Sequence, residues 1–184
     1  MRGRHTCPWW FAYTFDNPLR GLVHRPRAIF DGLVSRGDTV VDVGCGLGFF
    51  TMALAELVGP DGRVVAVDLQ PEMLARARRR AERRDLQDRI EFRPCTADRL
   101  GIPVKADFVL AFWMVHEVAD RGAFLSEVRS LLQPSGRLLI AEPKGHVPPS
   151  LFERITGLAR DAGFSVTAGP QVALSRSILC TPGS

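Results

Sequence analysis

The stretch Val40-Val41-Asp42-Val43-Gly44-Cys45-Gly46-Leu47-Gly48-Phe49-Phe50 decides the fold of this chain. It begins with a β-branched run, which predicts a buried strand, and continues through a glycine-rich turn into a helical pattern. Glycines allow a tight turn, and their missing side chains let a ligand lie against the main chain. Because N–H groups at the start of the following helix are unpaired, the ligand that such a turn usually binds is phosphate. The stretch therefore predicts a strand–turn–helix unit with a ligand site at the turn.

The spacing of the glycines separates this turn from that of the dinucleotide-binding enzymes. Phe49 stands where the third glycine of their G-x-G-x-x-G pattern would fall, and it removes the close helix–strand approach which that glycine permits. Asp68 ends the next predicted strand, where an acid can accept hydrogen bonds from both hydroxyls of a ribose. The alternative for Asp68 is an acid favoured by the dipole of the helix that follows. The order strand, glycine turn, helix, strand and acid favours the ribose role.

Short β-branched runs alternate with helical patterns from Asp38 onward, which indicates βαβ units and a parallel sheet. Gly169-Pro170 joins the last two runs, so this pair is expected to be antiparallel. Pro134-Ser135-Gly136 is expected to separate a helix capped by Asp120 from the fifth strand. The predicted helices are 48–58, 71–84, 120–132 and 149–162, and the predicted strands are 39–43, 63–68, 90–93, 106–113, 137–142, 164–168 and 177–181.

Two regions follow from this division of the chain. Residues 38–184 are expected to form the ligand-binding domain. Residues 1–37 are too short for a domain and are predicted to be a helical extension that lies on it. This extension is rich in aromatic side chains, which either pack against the core or line a pocket: Trp9, Trp10, Phe11, Tyr13 and Phe15.

Length and composition are those of one globular domain: 184 residues, of which 46% are hydrophobic and 24% charged. No stretch approaches the roughly 18 apolar residues that a membrane span needs, and no apolar run typical of a signal peptide follows Arg4. The four cysteines form no C-x-x-C pair, which argues against a disulfide framework and a zinc ribbon. These observations predict a cytoplasmic protein without a membrane partner.

Together these motifs make the chain similar to class I S-adenosylmethionine-dependent methyltransferases, and most similar to the small-molecule branch that includes ubiquinone/menaquinone C-methyltransferase-like proteins. The similarity rests on Val-Asp-Val-Gly-Cys-Gly-Leu-Gly at 41–48 and Ala-Val-Asp at 66–68, and it extends from about Asp38 to the C-terminus. It implies an α/β, Rossmann-like fold: a seven-stranded, mostly parallel sheet with an antiparallel C-terminal hairpin and helices on both faces. It also implies S-adenosylmethionine as methyl donor and S-adenosylhomocysteine as product.

The resemblance further implies which residues bind the donor. The glycines would carry its methionine and ribose parts, with Asp42 near the ammonium group and Asp68 on the ribose hydroxyls. Leu69 would lie against the adenine and Asp98 would meet its amino group. Cys45, inside the turn, is interpreted as a small buried residue and not as a nucleophile. The whole expected donor set is Asp42, Gly44, Cys45, Gly46, Gly48, Asp68, Leu69, Met73, Ala97, Asp98 and Phe112.

The acceptor is expected to be a small molecule in an aromatic pocket. Methyl transfer from a sulfonium needs in-line positioning more than a strong base, and a dry pocket suits the loss of positive charge. Phe112-Trp113-Met114-Val115 stands where amino-directed DNA and protein-glutamine methyltransferases carry an [Asn/Asp]-Pro-Pro-aromatic motif, and this disfavours a nucleic-acid acceptor. The predicted pocket consists of Trp9, Trp10, Tyr13, Trp113, His116 and Glu142.

His116 and Tyr13 are the candidate catalytic residues. His116 follows the fourth strand and can serve as general base, or it is a loop histidine bonded to its own backbone or to Glu117. Tyr13 could orient the acceptor. Glu142 either borders the acceptor pocket or belongs to an exposed turn. His5, Cys7, His116 and His146 have no metal-ligand spacing, so no metal is expected.

Three other functions remain open for the sequence. The chain could be a non-catalytic S-adenosylmethionine-binding regulator, because no single residue is obligatory for methyl transfer. It could be an NAD-dependent oxidoreductase, against which Phe49 argues. It could be an RNA methyltransferase that uses the arginines of 76–84, although a solvated helix face explains them better. A monomer or a homodimer is expected, and the sequence does not name the acceptor.

Overall fold

The computed structural model describes residues 23–183, and within them seven strands form one sheet in the order β3-β2-β1-β4-β5-β7-β6. The strands from β3 to β5 in that order are parallel, and β7 runs antiparallel to both β5 and β6. This confirms the Rossmann-like sheet with an antiparallel C-terminal hairpin. The strands are β1 (Thr39–Val43), β2 (Arg63–Asp68), β3 (Ile90–Pro94), β4 (Ala106–Phe112), β5 (Leu132–Pro143), β6 (Phe164–Ala168) and β7 (Ser175–Pro182).

Five α-helices accompany the sheet in the described part of the chain: α1 (Pro26–Phe30), α2 (Phe49–Val58), α3 (Pro71–Glu82), α4 (Arg121–Leu131) and α5 (Pro149–Asp161). Proline opens α1, α3 and α5, where its missing N–H has no intrahelical partner to lose. The predicted cap of α4 is confirmed, because Ala123 N donates to Asp120 Oδ1 at 2.9 Å. Two 3₁₀ turns, Gln87–Arg89 and Val115–Glu117, follow α3 and β4.

Helices cover both faces of the sheet, as predicted. One apolar cluster joins α1, α2 and α3 to the sheet, and a second joins α4 and α5 to the opposite face. Residues of β1 alternate between them: Val40 belongs to the first cluster, and Val41 and Val43 belong to the second. Burying each such aliphatic side chain contributes about 1.5–3 kcal/mol. The carboxyl ends of the parallel strands therefore stand on a rigid, two-sided core.

The start of β5 differs from the prediction. Residues 132–136 belong to the strand, so the expected loop at Pro134-Ser135-Gly136 was wrong. Proline and glycine normally interrupt strands, but here Leu132 pairs with Ala106 of β4 before a register shift. A Cβ on Gly136 would come within 2.8 Å of the Ala106 carbonyl oxygen, so glycine permits this close approach.

The C-terminal hairpin also differs in length. β7 runs from Ser175 to Pro182, longer at both ends than the predicted 177–181, and residues 169–174 form the connection. Within residues 23–183 no helix has the length and apolar character that crossing a bilayer requires. Of the predicted N-terminal extension, the structure describes α1, whose Ile29 and Phe30 are buried.

Candidate active site

The glycine turn links the carboxyl end of β1 to the first residue of α2. Gly44, Gly46 and Gly48 have φ values of 70°, 53° and 79°, in the left-handed region that favours glycine. The backbone N–H groups of Gly44 and Cys45 donate to the Val67 carbonyl at 2.8 and 3.0 Å. These two bonds tie the turn to the end of β2.

Surrounding atoms explain why two of the three glycines are small. A Cβ on Gly44 would lie 3.1 Å from Met114, and one on Gly48 would lie 3.1 Å from Ala77. A Cβ on Gly46 would meet no atom within 4 Å. Gly46 thus presents bare main chain to open space, where a ligand could lie against it.

Asp68 lies beside this open main chain. Its side chain is buried, with Oδ2 accepting from Gly46 N and Oδ1 accepting from Gln70 N, both at 2.9 Å. Each carboxylate oxygen still has a lone pair for another donor. Burial raises the pKa of Asp68 above its usual value, against the opposing effect of the backbone hydrogen bonds.

Asp42, in β1, and Cys45, inside the turn, are both buried. Thr51 Oγ1, on α2, donates to Asp42 Oδ2 at 2.6 Å, which fixes the orientation of the Asp42 carboxyl group. Cys45 is 8% exposed, and burial raises the pKa of its thiol well above the usual value. The interpretation of Cys45 as a small buried residue is confirmed.

The remaining residues predicted to bind the donor lie around Asp68 or at the end of β4. Leu69 is exposed and Met73 is buried at the start of α3. Ala97 and Asp98 are exposed in a turn after β3. The backbone N–H of Cys95 donates to the Asp68 carbonyl at 3.1 Å, so this loop begins beside β2. The structure places these residues at or after the carboxyl ends of β2, β3 and β4, and their roles in donor binding remain predictions.

Trp113 occupies an unfavourable backbone conformation directly after β4. Its φ is 58°, which is uncommon for a residue other than glycine and often marks a functional site. Two hydrogen bonds hold it there: its backbone N–H donates to the Ala141 carbonyl, and its Nε1 donates to Ser175 Oγ, both at 2.8 Å. The Trp113 ring stacks on Phe112 at 5.3 Å between centroids. The stacked rings of Phe112 and Trp113 directly precede Met114, which lies against Gly44 of the glycine turn.

His24 was missed by the sequence interpretation. It is 3% exposed, and its ring packs in T-shaped contact with the rings of Phe112 and Trp113, at 5.3 and 5.2 Å between centroids. Its Nε2 lies 3.1 Å from the Ala173 carbonyl oxygen, 149 positions along the chain. No local pattern signals a contact of that range. The other N-terminal residues proposed for the pocket or for a metal (Trp9, Trp10, Tyr13, His5 and Cys7) lie outside the described residues.

His116 forms a buried pair with Glu142 at the ends of β4 and β5. Its Nδ1 lies 2.5 Å from Glu142 Oε2, and its backbone N–H donates to Oε1 at 3.2 Å. Glu142 is fully buried, so the exposed-turn alternative was wrong for this residue. Glu117 Oε1 lies 3.9 Å from His116 Nε2, so Glu117 is the more distant of the two acids.

The arrangement around His116 suits proton transfer. With Glu142 as the carboxylate acceptor, Nδ1 carries the proton and Nε2 keeps a lone pair. The His116 side chain is 9% exposed, and the His146 ring lies 4.9 Å away between centroids. Arg121 donates to the carbonyls of Val115 and His116 and holds the turn in place. Sequence spacing alone could not have revealed Glu142 and Arg121 as partners of this turn.

A family model described as a methyltransferase domain matches residues 34–162. A demethylmenaquinone methyltransferase of Symbiobacterium thermophilum is 36% identical over 107 residues, which cover 58% of this chain and 43% of that protein. An arsenite methyltransferase of Halobacterium salinarum is 32% identical over 107 residues, which cover 58% of this chain and 27% of that protein. The chain thus spans less than half the length of these relatives.

A solved structure has the same fold. It is a SAM-dependent methyltransferase from Aquifex aeolicus, with a TM-score of 0.83 and 24% identity, covering 95% of this chain and 97% of that one. At this identity the likeness concerns the fold alone.

Proposed function

The chain belongs to the methyltransferase domain family, and from this premise we propose that it binds S-adenosylmethionine at the glycine turn and methylates a small molecule. One observation carries the proposal: Gly46 offers open main chain beside the buried Asp68 carboxylate. Both lie at the carboxyl ends of parallel strands, where open α/β sheets bind ligands. The names of two relatives, which specify demethylmenaquinone and arsenite, support a small-molecule acceptor.

The residues at the turn fit this donor. The Asp68 oxygens can accept from ribose hydroxyls, and the exposed Leu69 side chain offers an apolar surface for a base. Asp42 supplies a carboxyl group suited to an ammonium group. When bound, the donor would supply a methyl carbon attached to a positively charged sulfur. Gly44, Cys45, Gly48, Met73, Ala97, Asp98 and Phe112 complete the proposed donor site.

The protein's main task in this reaction is positioning. The acceptor's nucleophilic atom bonds to the methyl carbon while the carbon–sulfur electron pair stays on sulfur, which leaves S-adenosylhomocysteine. Holding two reactants in line and excluding water can supply roughly 7–11 kcal/mol. Trp113 and Phe112 provide a rigid aromatic wall beside the turn, and we propose Trp9, Trp10 and Tyr13 as further walls.

We propose His116 as the group that receives the acceptor's proton, at Nε2. Glu142 is then a positioning residue, because its carboxyl group fixes the ring through Nδ1 and would stabilise the imidazolium that forms. Tyr13 is proposed to orient the acceptor. A cytoplasmic location, a monomeric or dimeric state and the division at residue 37 remain predictions from the sequence.

The test is a calorimetric titration of ligand-free protein with S-adenosylmethionine, S-adenosylhomocysteine and NADH in parallel. The proposal expects micromolar binding of the two sulfur nucleosides and none of NADH. Acceptors are then screened for a mass gain of one methyl group. Binding of NADH alone, or of no nucleotide, would overturn the donor assignment. Donor binding without methylation of any small molecule in the screen would support the regulatory alternative instead.

A further inference from the structure

A groove of about 600 Å³ lies between α1 and the connection from β6 to β7. Its size is within the range of small-molecule sites. Ala28 and Ile29 form one wall, and Val172, Leu174 and Ser175 form the other. Among the described residues that line it, none comes from the glycine turn, so this opening is separate from the proposed donor site.

A short series of contacts connects the groove to the donor turn. Ser175 lines the groove and accepts a hydrogen bond from Trp113 Nε1 at 2.8 Å. Met114, the residue after Trp113, packs so closely on the glycine turn that a Cβ on Gly44 would come within 3.1 Å of its side chain. Contacts through Trp113 and Met114 therefore join the groove to the donor turn, although neither residue lines the groove.

The charges along the groove all have one sign. Arg25 and Lys144 line it, both are exposed, and the described lining residues include no acid. The closest acid along β5, Glu142, is fully buried and paired with His116. An anionic group entering the groove would thus meet two cations and no opposing carboxylate.

The apolar part of the groove includes a strained leucine. Leu174 has a φ of 60° and is 65% exposed, which is unfavourable for both its backbone and its side chain. Lys144 N donates to the Leu174 carbonyl at 2.8 Å and holds this conformation. The same hydrogen bond places an apolar side chain next to a cationic residue.

We propose that this groove binds an amphipathic organic anion, at a site distinct from the proposed donor turn and from His116. Its apolar body would lie on Leu174, Val172 and Ile29, and its anionic group would be held by Arg25 and Lys144. This binding site goes beyond the proposed methyltransferase function and is tested independently of it.

The experiment uses two probes of equal size and different charge, 2-naphthoate and the neutral 2-naphthamide. Each is titrated calorimetrically into the full chain, into R25Q/K144Q and into R83Q. Arg83 is exposed at the end of α3 and serves as the matched control. The wild-type protein is expected to bind 2-naphthoate about tenfold tighter than the amide, the double variant to lose that preference, and the control to keep it.

A second pair of variants tests the charge of the groove without removing a cation, because aspartate and asparagine have the same size and differ in charge. Aspartate and asparagine both tolerate the left-handed conformation of residue 174 better than leucine does. Leu174→Asp should abolish binding of 2-naphthoate, whereas Leu174→Asn should retain the preference for the anion. The inference is overturned if the wild-type chain binds neither probe, binds both equally, or keeps its preference after loss of both cations.

The same protein samples are titrated with S-adenosylhomocysteine. Normal binding of this nucleoside without selectivity among the naphthyl probes would leave the methyltransferase proposal standing and remove the groove. Selective binding of 2-naphthoate without any nucleoside binding would support the groove and overturn the proposed donor site.

Discussion

Asp68 is a buried acid, and the proposed donor site explains why a carboxylate lies at this position. Its two oxygens already accept from Gly46 N and Gln70 N, so it is preorganised to receive further hydroxyl donors. We predict that Asp68→Asn weakens the binding of S-adenosylmethionine by about tenfold to hundredfold, because hydrogen bonds to a buried charged acceptor are lost. Calorimetric titration measures this. Asp88→Asn, at an exposed position, is the control, and equal affinity in the two variants would contradict the ribose assignment.

The raised pKa of Asp68 also makes a prediction about stability. Because burial raises it in the folded protein, the folded chain takes up a proton at a higher pH than the unfolded chain does. As the pH falls from neutral toward the usual range of an aspartate, the wild-type protein should therefore gain unfolding free energy relative to Asp68→Asn. Urea unfolding at a series of pH values gives this difference. If the unfolding free energy of the wild-type protein relative to Asp68→Asn stays constant or falls on acidification, burial does not disfavour the charged form of Asp68.

The pair of His116 and Glu142 predicts coupled kinetic effects. With an identified acceptor, His116→Ala should lower kcat by about 10²- to 10⁴-fold, and Glu142→Gln should lower it by a smaller factor. The double variant should be no slower than His116→Ala, because Glu142 acts only through the ring. The Kd of S-adenosylmethionine should be unchanged in all three variants. If the double variant loses kcat by the product of the two single factors, Glu142 does not act through the His116 ring.

The turn between β1 and α2 offers an internally controlled test. Gly46 and Gly37 both have positive φ, and a Cβ at either position would meet no atom within 4 Å. Alanine should therefore cost a similar backbone penalty at both positions, about 1–2 kcal/mol of unfolding free energy. We predict that only Gly46→Ala also weakens S-adenosylmethionine binding, because its methyl group would enter the donor space. Equal donor affinity in the two variants would exclude close contact between the donor and Gly46.

The arginines of residues 76–84 illustrate how packing decides between two interpretations of one pattern. Arg80 donates to the Leu47 carbonyl at 3.4 Å, Arg84 pairs with Glu56 at 2.8 Å, and the Arg78 guanidinium lies 5.0 Å from the centre of the Phe92 ring. These three side chains make contacts within the protein, which disfavours an RNA-binding surface and shows that the face is not purely solvated. The basic run is therefore a weak reason to expect a nucleic-acid acceptor.

Most elements could be predicted because local chemistry determines them. The β-branched run of β1 and the prolines that open α3 and α5 act within a few residues of their own positions. The pair of His116 and Glu142 could not be predicted in this way, because it depends on the register that sets Phe112 opposite Ala141. The hydrogen bond from Trp113 to Ser175 depends likewise on how β7 pairs with β5. Strand pairing across the chain thus assembles the acceptor side, whereas the donor turn is largely local.

At the level of the whole molecule, the proposed site lies at the carboxyl-terminal edge of a sheet whose two faces are each covered by helices. The donor turn joins β1 to α2 and is hydrogen-bonded to the end of β2, Trp113 follows β4, and the groove borders α1 and the start of β7. Every part of the site is therefore attached to the common core. Ligand binding at this edge should stabilise the folded state as a whole.

This coupling gives a prediction for thermal unfolding. At a concentration one hundred times its Kd, a ligand that binds only the folded state adds about 2.7 kcal/mol to the unfolding free energy. For a domain of this size each kcal/mol raises Tm by roughly 2–4 °C, so S-adenosylhomocysteine should raise it by roughly 5–11 °C. NADH should have no effect, and Asp68→Asn should lose about half of the shift or more at the same nucleoside concentration. A shift with NADH alone would mean that the open main chain at Gly46 receives a dinucleotide, despite the phenylalanine that stands at position 49.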